Sequence, residues 1–128
     1  MKRQMARTWA WRGCGVGLVG GLTGCASPGV VDARLHFGRS LLGKVEVLEV
    51  GQLAQRSGAP VAQVTVRNLR NGLTSLTYHT VWYRDGVAYP DALEYWPEVT
   101  LRPRETYVIT ETAPHRDAED FDMEIKAK

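Results

Sequence analysis

From Lys44 onward the chain alternates apolar and polar residues with the period of two that marks half-buried strands. Residues 44–50 (Lys-Val-Glu-Val-Leu-Glu-Val) set valine against charge, and a slip at Leu48 predicts a bulge. Residues 61–68 place Ala62, Val64 and Val66 on one face, with Gln63, Thr65 and Arg67 on the other. Residues 76–83 are the richest β segment, with Leu76, Tyr78, Thr80 and Trp82 on one side and Thr77, His79, Val81 and Tyr83 on the other. Asp85-Gly86 predicts a tight hairpin turn into residues 87–89. Residues 106–110 and 121–126 complete the set; in the last, Phe121, Met123 and Ile125 oppose Asp122, Glu124 and Lys126. Pro60, Pro90, Pro97, Pro103 and Pro114 fall between these runs, where strands should end. Asn68, Asn71 and Gly72 read as a turn, and only residues 40–43 and 114–120 leave room for a helical turn. Six or seven short strands predict an antiparallel sandwich plugged by Trp82. Periodicity alone would also accommodate a small barrel.

The first 24 residues follow a different rule. Lys2, Arg3, Arg7 and Arg12 form a positive start with no acidic residue, and residues 14–22 are uncharged, apolar and rich in glycine. This is the layout of an export signal. The apolar run is too short to span a bilayer, which takes roughly 20 residues. Small Thr23 and Gly24 then precede Cys25. Leu22-Thr23-Gly24-Cys25 resembles the lipobox of bacterial lipoproteins. That resemblance implies cleavage before Cys25, diacylglycerol on its sulfur and acylation of its new amino group. One acyl chain anchors only marginally, whereas two or three hold a protein on a membrane. Ala26 follows where retained inner-membrane lipoproteins usually carry Asp, so the resemblance implies the outer membrane, facing the periplasm.

Cleavage reverses the charge. The precursor has 16 Lys+Arg against 14 Asp+Glu, a net of +2; four of the basic residues and none of the acidic ones lie in residues 1–24. The remaining 104 of 128 residues carry 12 basic and 14 acidic groups, a net of −2. No basic patch argues for nucleic acid. Cys14 leaves with the signal and Cys25 is acylated, so no thiol remains for a disulfide, a metal or nucleophilic catalysis. The expected organisation is a signal peptide (1–24), a short acylated tether (25–33) and one β-sandwich domain (34–128).

A second resemblance rests on residues 76–83 with Asp85-Gly86, then Trp96, Leu101-Arg102-Pro103-Arg104-Glu105, Ala113-Pro114 and Ala118-Glu119-Asp120-Phe121. In order and spacing over roughly residues 44–126 these resemble the YcfL-type small lipoproteins of Gram-negative bacteria. Two departures are His79, where the family often has Arg, and a shorter turn after Trp82-Tyr83. The resemblance implies an immunoglobulin-like sandwich in the periplasm. It also implies a neighbourhood, since such genes often accompany one for a lipoprotein activator of a peptidoglycan synthase.

Candidate chemistry is sparse. His36, His79 and His115 stand in separate segments without metal-ligand spacing. Asp117, Glu119, Asp120, Asp122 and Glu124 lack the calcium-loop pattern and read as a solvated face. Glu94, Glu98 and Glu105 would serve glycan cleavage only if folding faced two of them across a cleft. No Gly-x-Ser-x-Gly elbow surrounds a serine. Tyr89, Tyr95 and Trp96, between Pro90 and Pro97, are the candidate partner-binding residues; the competing reading has Trp96 capping the sandwich and Tyr95 covering an edge. The expectation is a non-enzymatic lipoprotein that needs no cofactor or metal and docks an envelope protein. The alternatives are a cell-wall glycan-binding protein or hydrolase, and an anchoring lipoprotein of a secretion machine.

Overall fold

The computed structural model describes residues 9–10, 29–55, 58–90 and 94–128. Leu22, Thr23, Gly24 and Cys25 lie outside the described residues. Among those described, no helix is long and apolar enough to cross a membrane. Two short strands come first: β1 (Trp9–Ala10) pairs antiparallel with β2 (Val30–Val31). Then follow β3 (Leu35–Phe37), β4 (Val45–Gln55), β5 (Gly58–Asn68) and β6 (Thr74–Arg84). The remainder are β7 (Val87–Ala88), β8 (Glu98–Leu101), β9 (Thr106–Thr112) and β10 (Asp120–Ala127).

Two sheets face each other as a β-sandwich. One runs β3-β10-β6, with β7 and β8 both on the far side of β6; the other runs β4-β5-β9. All pairs within them are antiparallel except β3 with β10, which is parallel in the register Met123 to Leu35. The core between the sheets is the set of alternating residues expected from the pattern. Val45, Val47 and Val50 come from β4, and Ala62, Val64 and Val66 from β5. Leu76, Tyr78 and Trp82 come from β6, and Phe121, Met123 and Ile125 from β10. The slip at Leu48 is a bulge: the register with β5 shifts between Val47 and Glu49, and Leu48 turns outward. A 3₁₀ turn, Arg39–Leu41, drives Leu41 into the core.

Two expectations change. Pro60 does not end a strand; it is buried inside β5. The register with β4 shifts beside it, between Leu53 and Gln55, and an irregular ladder tolerates a residue without an N–H. Asn68 is not simply a turn residue. It is fully buried, and its Nδ2 donates to the carbonyls of Gly72 (2.9 Å), Leu101 (3.3 Å) and Arg102 (2.8 Å). Its Oδ1 accepts from Arg70 N (3.0 Å) and Thr74 Oγ1 (2.9 Å). One side chain therefore fastens the end of β5 to β6 and to the chain leaving β8.

The segment before β3 is docked rather than loose. Gly29 bridges to Val47 with φ +96°, so close that an added Cβ would lie 2.3 Å from the Val47 carbonyl oxygen. Asp32 is buried and paired with Arg34.

A cleft at the interrupted edge of β6

The outer edge of β6 explains where the aromatic cluster goes. At one end Tyr83 pairs with Ala88 and Arg84 with Val87, across a two-residue turn with φ 52° at Asp85 and 78° at Gly86. At the other end Thr77 pairs with Glu98 and Thr74 with Leu101. Tyr89 N donates to Trp82 O (2.9 Å) and Tyr78 N donates to Pro97 O (3.2 Å). Between those bonds, three residues of β6 (79–81) stand opposite seven (90–96). β7 and β8 are thus two halves of one edge strand, separated by an excursion with four residues more than the gap along β6 requires.

A cleft of about 230 Å³ lies between that excursion, β6 and the far end of β9. Tyr78, Thr80, Trp82, Tyr89, Tyr95 and Glu111 line it, with Pro90, Pro97 and Pro114 among its other walls. The Tyr78 hydroxyl and the Glu111 carboxyl interact across the two sheets. Burial, reinforced by the charge of Glu111, pushes Tyr78 up to about 12. Burial also raises Glu111 above the usual carboxylate range, against the opposing pull of Tyr78 and His79. Thr80 Oγ1 and the Tyr89 hydroxyl are buried without a hydrogen-bond partner. Such a group costs about 1–3 kcal/mol.

The structure brings Tyr89 and Tyr95 to this one cleft, but not Trp96. Tyr89 is half-buried and stacks on His115 with ring centroids 5.2 Å apart. Tyr95 is 69% exposed, and its carbonyl accepts a hydrogen bond from His79 Nδ1 (2.9 Å). Trp96 is half-buried and stacks on His79 (5.1 Å) beneath the Lys126 ammonium, 4.2 Å from its ring centroid. It belongs neither to the core nor to the cleft. Trp96→Ala should therefore cost only about 1 kcal/mol, the worth of an exposed stack with a cation above it. Thermal melting would show this as a shift of a few degrees.

Thr80 and Glu111 were not candidates from sequence. Thr80 left a trace, being the one polar residue on the apolar side of residues 76–83. Glu111 left none, because alternation in β9 reads clearly only to Thr110. The raised Glu111 has a pH signature. A carboxyl whose folded pKa lies above its unfolded value favours folding while protonated. That contribution is complete below the unfolded pKa and is lost as pH rises through the folded one. Glu111→Gln should therefore melt at or above the parent at pH 8, with the difference gone at pH 4.

The other carboxylates have local uses. Glu94 accepts from Trp96 Nε1 (3.2 Å), Glu98 pairs with Lys128 (3.0 Å), and Glu105 accepts from Arg102 N (2.7 Å). In the acidic run, Glu119 accepts from Asp85 N (2.8 Å), Asp122 from the Tyr83 hydroxyl (2.9 Å), and Asp117 pairs with Arg84 (3.4 Å). Among the described residues, no three His, Cys, Asp or Glu side chains gather as metal ligands.

Residues 33–127 match the family described as protein of unknown function, DUF1425. The chain belongs to the DUF1425 family. The match spans every strand of the sandwich from β3 to β10, including the excursion. Two crystal structures are similar in fold. One is cj0090 of Campylobacter jejuni, with 21% identity, TM-score 0.63, and 74% of this chain and 98% of that one covered. The other is a DUF1425 member from Shewanella sp. pv-4, with 21% identity, TM-score 0.58, and 66% and 78% covered. None of the curated proteins matches the chain.

Proposed function

We propose that this DUF1425 member is a YcfL-type lipoprotein. Acyl chains on Cys25 would hold it at the outer membrane, facing the periplasm, where it serves as a non-enzymatic accessory module that docks an envelope protein of cell-wall-related function. The observation that carries the docking role is the aromatic excursion inserted into the edge of β6, which presents Tyr95 at 69% exposure beside an apolar cleft. Loops that leave a rigid sheet are where binding surfaces concentrate. The compartment rests on Leu22-Thr23-Gly24-Cys25. With Gly29 docked on Val47, the four residues 25–28 reach at most about 14 Å, so the sandwich would sit against the membrane surface. Confinement to that plane raises effective concentration and lets a weak interface suffice.

Cys25→Ser tests the anchor: palmitate labelling should disappear and the protein should become soluble or remain unprocessed. Unchanged labelling and membrane fractionation would sink this reading. A photocrosslinker at Tyr95, used in cells, tests the docking role; one protein partner should be captured, and capture should weaken in Trp96→Ala. Crosslinking to glycan strands alone would favour the glycan-binding alternative.

A further inference from the structure

The cleft has a feature that exposed aromatics do not explain. Among the described residues, no strand pairs with the outer edge of β6 between Tyr78 and Trp82. Backbone polar groups on an antiparallel strand alternate between its two edges. The Tyr78 N–H and the Trp82 carbonyl point outward, since they bond to Pro97 and Tyr89. Thr80, midway between them, therefore directs its own N–H and carbonyl to the same edge. Across the cleft stands β9, which among the described residues pairs with β5 on one side only. The cleft is a slot between two strand edges.

Its chemistry is one-sided. Among the described lining residues Glu111 is the only carboxyl and none is Lys or Arg, and Glu94 and Glu98 stand exposed in and beside the excursion. The lining rings and prolines suit apolar side chains, while Thr80 Oγ1 and the Tyr89 hydroxyl lack partners.

We propose that the slot binds an extended polypeptide segment, which pairs its backbone with Thr80 on the β6 edge and directs one Lys or Arg side chain to Glu111. This rests on the docking role proposed above and names its contact. The three residues 79–81 span about 10 Å, enough for one reciprocal pair of backbone bonds with Thr80. Neighbouring side chains of the segment then alternate between the cleft and solvent, the arrangement by which strand addition combines affinity with selectivity. A sugar ring would also stack on tyrosine and meet the hydroxyls, but it has no reason to use the Thr80 backbone pair.

The test uses the full chain purified in detergent and a displayed library of random ten-residue peptides. Recovered peptides should share a Lys or Arg within a β-prone alternating run. Glu111→Gln, with its melting temperature checked against the parent, should weaken them about tenfold. N-methylation of each peptide amide in turn should reveal one position where binding falls at least about tenfold, the amide that bonds to Thr80. Four results would overturn the proposal: no peptide recovered, a charge-indifferent consensus, indifference to N-methylation throughout, or chitotetraose displacing the best peptide at equal concentration. If any of these occurs while in-cell capture from Tyr95 persists, the docking role survives and only this contact is lost.

Discussion

Trp82→Ala lowers the unfolding free energy by roughly 3–5 kcal/mol, the usual loss on truncating a large core aromatic. Trp82 is 5% exposed, and its ring lies 5.4 Å from that of Phe121 on the neighbouring strand β10. Phe121 is itself sealed, with the Arg34 guanidinium 5.1 Å from its ring centroid. Truncation would strip the Phe121 ring of this contact and open the core toward the cleft that Trp82 also lines. A domain of this size loses about 4–8 °C for each kcal/mol. Thermal melts by circular dichroism should therefore separate Trp82→Ala clearly from the milder Trp96→Ala. Equal melting temperatures for Trp82→Ala and the parent would mean that the ring is not core.

Asp32→Ala is expected to be of similar size, about 3–5 kcal/mol, for an electrostatic reason. The Asp32 side chain is 0% exposed. Its Oδ1 accepts from Arg34 N (2.9 Å) and Nε (2.9 Å), and its Oδ2 from Nη2 (2.8 Å). The pair's hydrogen bonds, with the charges of Asp32 and Asp120, hold the Arg34 guanidinium above its ordinary pKa despite the opposing effect of burial. Without Asp32 a half-buried cation is left with the charge of Asp120 and the face of Phe121. The diagnostic measurement is the double variant Asp32→Ala/Arg34→Met, whose urea unfolding should recover much of the loss because no cation is stranded. If the double variant is no better than the single one, the loss comes from packing and the ion pair contributes little. Asp32→Asn should fall between, since one acceptor oxygen survives. This pair also fixes the chain just before β3 pairs with β10, so its loss should loosen the N-terminal segment first.

Much of the sandwich was legible because its information is local. The alternation in residues 44–50, 61–68, 76–83 and 121–126 names the buried residues, since one face of each strand must leave water. Asp85-Gly86 identifies its hairpin because few residue pairs accept positive φ at both positions. Leu48 declares its bulge by breaking the period. The strands not predicted, β1, β2, β3 and β8, have only two to four residues each, too short to display a period. Pro60 shows the converse: a local rule ends a strand at proline, but an irregular neighbouring ladder makes the missing N–H harmless.

The candidate site was legible only in part. Tyr89 and Tyr95 stood out by type, and the structure does seat them at one cleft, whereas Trp96 faces the other way onto His79.

By itself, then, the sequence determined the longer strands, the faces they bury and the hairpin at Asp85-Gly86. The tertiary structure decided the parallel pairing of β3 with β10, the anchoring of three chain segments on Asn68, the excursion between β7 and β8, and the meeting of Tyr78, Thr80 and Glu111. Each of these depends on register between strands far apart in the chain. A period of two says which way a side chain points but carries no information about which residue lies opposite it.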